Sequence, residues 1–419
     1  MWPLLLAPAA VTSDPAPAVA EAAPATPSEP TGVKAWLLGS YATGTWGGAR
    51  TWLSDHGLTI DLSYTGEAFG NVHGGLSIRP AGSYKGHVDL GLTFDTEKAG
   101  LWPGGKLFVL GQNEHGGGFT DRYVGAIQTV SNLDTGAANP AVITQLAELW
   151  YEQTLFQGLL LLRFGKQDSN RDFGAPRYGG NFVNNAFGAF PNVPMPSFPT
   201  PGLGGVIVVE PSKYVVLRAG AYEGQPQIGS FGFDSAAAPG AGAFTMASVA
   251  IRHFFGVDQK HGGVTNVAAW HHSGLFPRIA RNPDPRDLAG TTGVTLMHDE
   301  RIYASPKDKD STAGLHVFVR MSFAEPSRNN DDRYVGGGIA YHGFPWREND
   351  TVGVGFGSMH IQKPLLGSKD PGTEVFVETF YKLRPTPWFS LEPDFQFFHH
   401  PGGDGRDAVI LGLRSKLKL

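Results

Sequence analysis

Charged and amide side chains recur at alternate positions within short apolar runs: Asp61, Asp89, Arg163, Gln167, Arg218, His316, Arg320, Glu374, Glu378, Glu392 and Asp394. Read with the two-residue period of a strand, each stands opposite the bulky residues of its own run, so all of them are expected on one polar face. Guanidinium and carboxylate groups are strong hydrogen-bond donors and acceptors, and a face carrying both signs can exchange bonds with a neutral polar molecule. The parts of a hydrolytic catalyst are missing: no G-x-S-x-G word or comparable nucleophile–base spacing occurs. With no Cys, disulfides, thiolate metal sites, iron–sulfur clusters and a cysteine nucleophile are excluded. His271-His272 and His399-His400 invite a metal. Adjacent strand residues point to opposite faces, however, so neither pair is expected to chelate through both rings, and no metal or cofactor is expected.

The elements that must position these groups are strands. In Leu58 to Thr65 every even position is large and apolar and every odd one small or polar, and His87 to Asp95 repeats the rule. Marking such runs between Gly, Pro, Asn and Asp clusters predicts sixteen strands. The first eight lie near 58–67, 86–95, 105–112, 147–156, 158–167, 203–210, 213–222 and 244–254. The second eight lie near 263–272, 294–304, 313–323, 333–342, 350–359, 373–384, 387–398 and 407–418. Tight connections at 156–158, 211–212 and 384–386 alternate with long ones at 113–146, 168–202 and 223–243. This alternation, with strands of about 9–11 residues, is the pattern of a transmembrane antiparallel β-barrel.

Composition agrees. The 419 residues include 57 Gly and 41% hydrophobic residues, yet nowhere do 18 apolar residues follow one another, so no membrane-spanning helix is expected. A formal net charge of -5, spread along the chain, argues against a nucleic-acid partner. The competing all-β reading is a soluble propeller or sandwich. Against it stand Gly353, Gly355 and Gly357 on one polar face, which leave little to fill a second buried layer. Aromatics at run ends (Tyr64, Phe94, Trp150, Tyr151, Trp270, Tyr341, Tyr381, Trp388) also suit a pair of interfacial girdles.

Three regions are expected. Residues 1–31, rich in Ala and Pro, read as a signal remnant or an unpacked leader. Residues 32–57 hold a short amphipathic helix marked by Trp46, Ala49, Trp52 and Leu53, placed to cover one barrel mouth. Residues 58–419 form the barrel. Within it the segment 168–202, with Asn184, Asn185, Phe187 and Phe190, is the one expected to fold inward and narrow the channel.

Several words of the sequence resemble the carbohydrate-selective outer-membrane porins, the OprB-like family. They are Trp46-Gly47-Gly48-Ala49-Arg50-Thr51-Trp52-Leu53, Tyr84-Lys85-Gly86 with Asp89-Leu90-Gly91-Leu92, Trp102-Pro103-Gly104-Gly105 and Glu148-Leu149-Trp150-Tyr151-Glu152-Gln153. Phe182 to Gly188, Pro393-Asp394-Phe395-Gln396-Phe397 and Pro401-Gly402-Gly403 follow in the same order. The resemblance implies a sixteen-stranded porin of a Gram-negative outer membrane passing glucose and related saccharides. It also implies assembly by the outer-membrane machinery and a possible homotrimer. Asp89, Arg163, Gln167, Asn184, Arg218, Arg320, Glu374 and Glu378 are then the expected pore lining. With 33 basic against 38 acidic residues, the lining suits a neutral polyol better than phosphate. A channel for another small solute is the alternative, and a barrel-based enzyme a weaker one. Two departures stand out: Lys166-Gln167-Asp168 replaces the family's Gly-Gln-Leu word, and Leu419 stands where an aromatic is usual.

Overall fold

The computed structural model describes residues 32–79, 81–135, 142–177, 179–236, 238–255, 261–279, 286–305, 313–365, 367–368 and 370–419. The leader 1–31 lies outside them. Sixteen strands form one closed antiparallel barrel in which each is bonded to its sequence neighbours and the first to the last. They are β1 Leu58–Gly74, β2 Gly82–Asp95, β3 Gly105–Gly116, β4 Val142–Leu155, β5 Leu160–Gln167, β6 Gly202–Ser212, β7 Val215–Glu223 and β8 Ala243–Phe255. The circuit continues with β9 His261–Pro277, β10 Asp287–Ala304, β11 Gly314–Ala324, β12 Asp331–Phe344, β13 Arg347–Ile361, β14 Gly372–Thr386, β15 Phe389–His399 and β16 Ala408–Lys418. Closure runs from Ser63 opposite Lys418 to Gly74 opposite Ala408, so no strand edge is left unpaired. No described helix is long and apolar enough to cross a membrane; the crossing elements are strands.

Every expected strand is present, and several extend further toward the long-loop end. Alternation sets the two faces. Leu90, Ile207, Val249, Val267, Val294, Val354 and Leu411 are exposed on the outer wall, whereas their polar neighbours point inward. Trp150 and Trp270 depart from the girdle expectation. Both are buried and share the inward parity, Trp150 pairing with Phe108 and Trp270 with Gly293.

The second departure is larger. Gly353, Gly355 and Gly357 do face inward, but the space they leave is filled, because a second buried layer lies inside the barrel. A Cβ on Gly355 would meet Phe187 Cζ at 2.7 Å and Phe182 Cε1 at 2.9 Å, and one on Gly357 would run into the Phe376 ring. Phe182 lies with its ring centroid 4.6 Å from Phe187, 5.3 Å from Phe318 and 4.9 Å from Phe380. The glycines are the sockets into which an inward loop packs its rings.

At the short-turn end sit two helices, α1 Gly32–Leu38 and α2 Ala49–Asp55. Arg50, the one buried residue of α2, donates to the Leu419 carbonyl at 2.9 Å and lies over Tyr41 and Trp46 at 3.7 and 4.1 Å. The Tyr41 hydroxyl donates to Asp61 at 3.3 Å, which brings this segment to the lumen's mouth.

Candidate functional site

Two long connections turn into the lumen. The segment 168–201 carries buried Phe173, Phe182, Val183, Phe187 and Phe190. A second inward segment, 117–135, was not anticipated, although its signal was available: Phe119, Val124, Ala126 and Val130 are apolar and off the strand period, and all are buried. Asp134 holds its start in shape by accepting the Thr120 N–H at 2.7 Å and the Thr120 hydroxyl at 2.6 Å.

The loops are pinned by barrel carboxylates. Glu378 on β14 accepts the Val183 and Asn184 N–H groups at 2.6 and 2.9 Å. Four residues earlier on the same face, Glu374 accepts the N–H groups of Ile127, Gln128 and Gly402 at 2.9, 2.8 and 2.6 Å. Gln396 ties both loops to β15. Its amide donates to the Val130 carbonyl at 2.7 Å, and its oxygen accepts from Asn184 at 3.1 Å. Asn184 also caps the helical turn Asn185–Gly188 by accepting the Ala186 N–H at 3.0 Å. Buried carboxylates are tolerable here because backbone donors satisfy them.

The expected lining thus divides into two groups. Gln167, Asn184, Arg320, Glu374 and Glu378 point inward and are fully covered by the loops. Arg320 donates to the Phe187 carbonyl at 2.7 Å and stacks over Phe190 at 4.3 Å. Gln167 donates to the Gly204 carbonyl at 3.1 Å. His316, Glu392 and Asp394 are likewise buried, Glu392 beside Lys382 at 2.9 Å. Asp89, Asp61 and Arg218 keep partial exposure toward the lumen. Asp89 accepts from His87 at 2.8 Å and from Gln112 at 2.9 Å.

Arg163 sits between Glu152 and Asp172 at 2.8 and 2.7 Å and 4.9 Å from the Trp150 ring. Beside it Arg171 makes a two-pronged contact with Glu148 at 2.8 and 2.9 Å and lies 5.1 Å from the same ring. Further along the same stretch of wall, Arg414 on β16 pairs with Glu67 on β1, and Lys85 on β2 with Glu114 on β3 at 3.1 Å. Glu152, Asp172, Glu67, Glu114 and Lys85 complete these pairs and lie outside the expected pore lining. Pairing depends on which strands are neighbours, and one sequence gives that only after closure. At the long-loop end a hollow of about 610 Å³ is bordered by Gln227, Ser230, Phe231, Phe233 and Asp234, with both rings largely exposed.

The histidine pairs behave differently from each other. His272 is buried on the inner face, as alternation requires. His399 and His400 instead stack with centroids 3.9 Å apart. His400 has left the strand, at φ 49°, so its ring swings to the side of its neighbour and alternation no longer separates them.

A sequence model of the family described as carbohydrate-selective porin, OprB family, matches residues 79–419. Porin B of Pseudomonas aeruginosa is 25% identical over 427 residues, covering 90% of this chain and 90% of its own. The high-pH structure of Pseudomonas putida OprB superposes with a TM-score of 0.77 at 19% identity, covering 91% of this chain and 99% of that one. The low-pH structure of the same protein gives 0.60 at 17% identity with the same coverage. Both structures share the fold.

Proposed function

Because the chain belongs to the OprB family of carbohydrate-selective porins, an outer-membrane β-barrel whose trade is sugar passage, we propose that its preferred solutes are small neutral saccharides of the glucose type. The observation that carries this reading is the charge pairing on the inner wall. Arg163 with Glu152 and Asp172, Arg414 with Glu67, and Lys85 with Glu114 put both signs side by side. Such pairing holds strong charges on the wall while presenting little net field to an ion, and Asp89, Asp61 and Arg218 keep polar atoms exposed to hydroxyl groups. Phe231 and Phe233 at the outer hollow support a first contact, since exposed rings offer an apolar platform to a sugar's carbon face.

Asp89, Arg163 and Arg218, with Asp61, are the residues assigned here to the solute path. Glu374, Glu378, Asn184 and Arg320 are assigned to hold the loops that define its width, and Gln167 to tie β5 to β6 beside them. Passage down a gradient needs no catalyst, so no enzymatic step is assigned. A homotrimer and delivery by the outer-membrane assembly machinery are carried by the family reading alone. Liposome swelling with a panel of sugars tests the solute, and planar-bilayer conductance tests the channel. Swelling with glucose and maltose no faster than with a charged sugar phosphate overturns the proposal.

A further inference from the structure

On the outer wall, near the short-turn end of the β8–β10 patch, three metal-ligating side chains converge: His253 of β8 with His298 and Glu300 of β10. We propose that they form a binding site for a divalent transition cation of the zinc class. One ligand atom from each lies within 4.8 Å of the other two. Glu300 Oε2 is hydrogen-bonded to His253 Nε2 and stands 3.5 Å from His298 Nε2. Two imidazoles and a carboxylate are a zinc donor set that leaves one position open for water.

The neighbourhood fits such a site in two independent ways. Gly263 of β9 lies between His253 and Glu300 in the sheet, and a Cβ there would run into the Asp299 backbone carbonyl and meet Glu300 Oε2 at 2.7 Å. The strand between the ligands is therefore cleared so that β8 and β10 can reach each other across it. Thr265, also on β9, is bonded to His298 Nδ1 through its hydroxyl at 2.9 Å. In the tautomer that donates its Nδ1–H to this hydroxyl, the Nε2 lone pair is free to ligate, as when an outer partner orients a metal-binding imidazole. The His253 and His298 rings are nearly parallel, 9° apart with centroids at 5.7 Å. Closing on an ion turns His253 about its Cβ–Cγ bond, a torsion with broad wells.

The surroundings supply the reason for a cation. Val249, Ile251, Val267 and Val294 are exposed on the same outer face, a wall where a carboxylate is unfavourable unless paired. A bound ion neutralises Glu300 and staples β8 to β10. The second cluster, His399, His400 and Asp407, serves as the internal control, because its two histidines are exposed and no glycine clears it.

The test is calorimetric titration of ZnCl₂ into the purified, untagged barrel in detergent at neutral pH. One ion per chain is expected, with affinity at least tenfold weaker in H253Q, H298Q and E300Q, and about tenfold weaker in T265V. The H399Q/H400Q double variant should bind like wild type. Unaltered single-channel conductance certifies that each variant is folded, since these residues face away from the lumen. No zinc binding by wild type, or binding that survives H298Q and E300Q, or binding lost in H399Q/H400Q, overturns the proposal.

Discussion

Glu378 accepts the backbone N–H of Asn184 at 2.9 Å across 194 residues of sequence, and with the Val183 N–H at 2.6 Å this fixes the inward loop to β14. Such hydrogen bonds contribute about 0.5–1.5 kcal/mol each, and a buried donor left without a partner costs about 1–3 kcal/mol. Glu378→Ala removes both and leaves two buried donors without partners. The expected outcome is a loosened 168–201 segment, seen as higher and noisier single-channel conductance and faster hydrogen exchange at Val183 and Asn184. Wild-type conductance and exchange in this variant would show that the loop is held by its aromatic packing alone.

The aromatic packing has its own test. Gly355→Val places a Cβ against Phe187 and Phe182 at 2.7 and 2.9 Å, closer than side chains approach. Overpacking of this kind costs about 1–3 kcal/mol. The rings must shift, so thermal unfolding in detergent should begin earlier and conductance should change. Gly100, whose Cβ would meet nothing within 4 Å, has left-handed φ at 74° and so makes a poor control. Gly188 has open space and no such φ, and Gly188→Ala should leave both readings unchanged.

These two tests mark the boundary of what the sequence made legible. Alternation around Val352, Val354 and Phe356 placed the glycines on the inner face, because a strand's period is a local property. It did not reveal that Phe182 and Phe187, some 170 residues away, would occupy the glycine sockets, since loop docking is a tertiary event without a period. The same limit explains Glu374 and Glu378. Their inward direction followed from spacing, whereas their burial depended on which backbone donors the loops would bring. His400 failed for the opposite reason, because a strand rule was applied one residue beyond the strand's end.

Arg163 neutralises two carboxylates, Glu152 at 2.8 Å and Asp172 at 2.7 Å. Arg163→Ala leaves both facing the lumen with one fewer positive charge nearby. A unit charge at about 4 Å in water-like surroundings is worth about 1 kcal/mol, roughly a fivefold change in relative ion permeability. The reversal potential in a KCl gradient should therefore move toward cation selectivity. Arg218→Ala should move it the same way. A shift toward anions in either variant would contradict the assignment of these side chains to the solute path.

Asp168, the first residue after β5, supplies the pH dependence. Burial, reinforced by the neighbouring Glu148 charge, raises its pKa from 3.8 to about 6, even though the Asn170 and Phe198 N–H groups and Arg171 act the other way. A carboxyl that holds its proton more tightly folded than unfolded favours the folded loop at low pH. That advantage is complete below about 3.8 and is lost as pH rises toward about 6. The gap is worth at most about 3 kcal/mol, and less for a side chain that is only half-buried. Docking of the 168–201 segment should accordingly weaken between pH 4 and 6 and stay level above that, read as conductance rising with pH or as exchange at Phe198 after correction for intrinsic rates. Asp168→Asn cannot ionise and keeps an acceptor for one of the two N–H groups, so its profile should be flat over the same range. A wild-type profile that is flat, or an Asn variant that keeps the slope, would assign the pH response to another group.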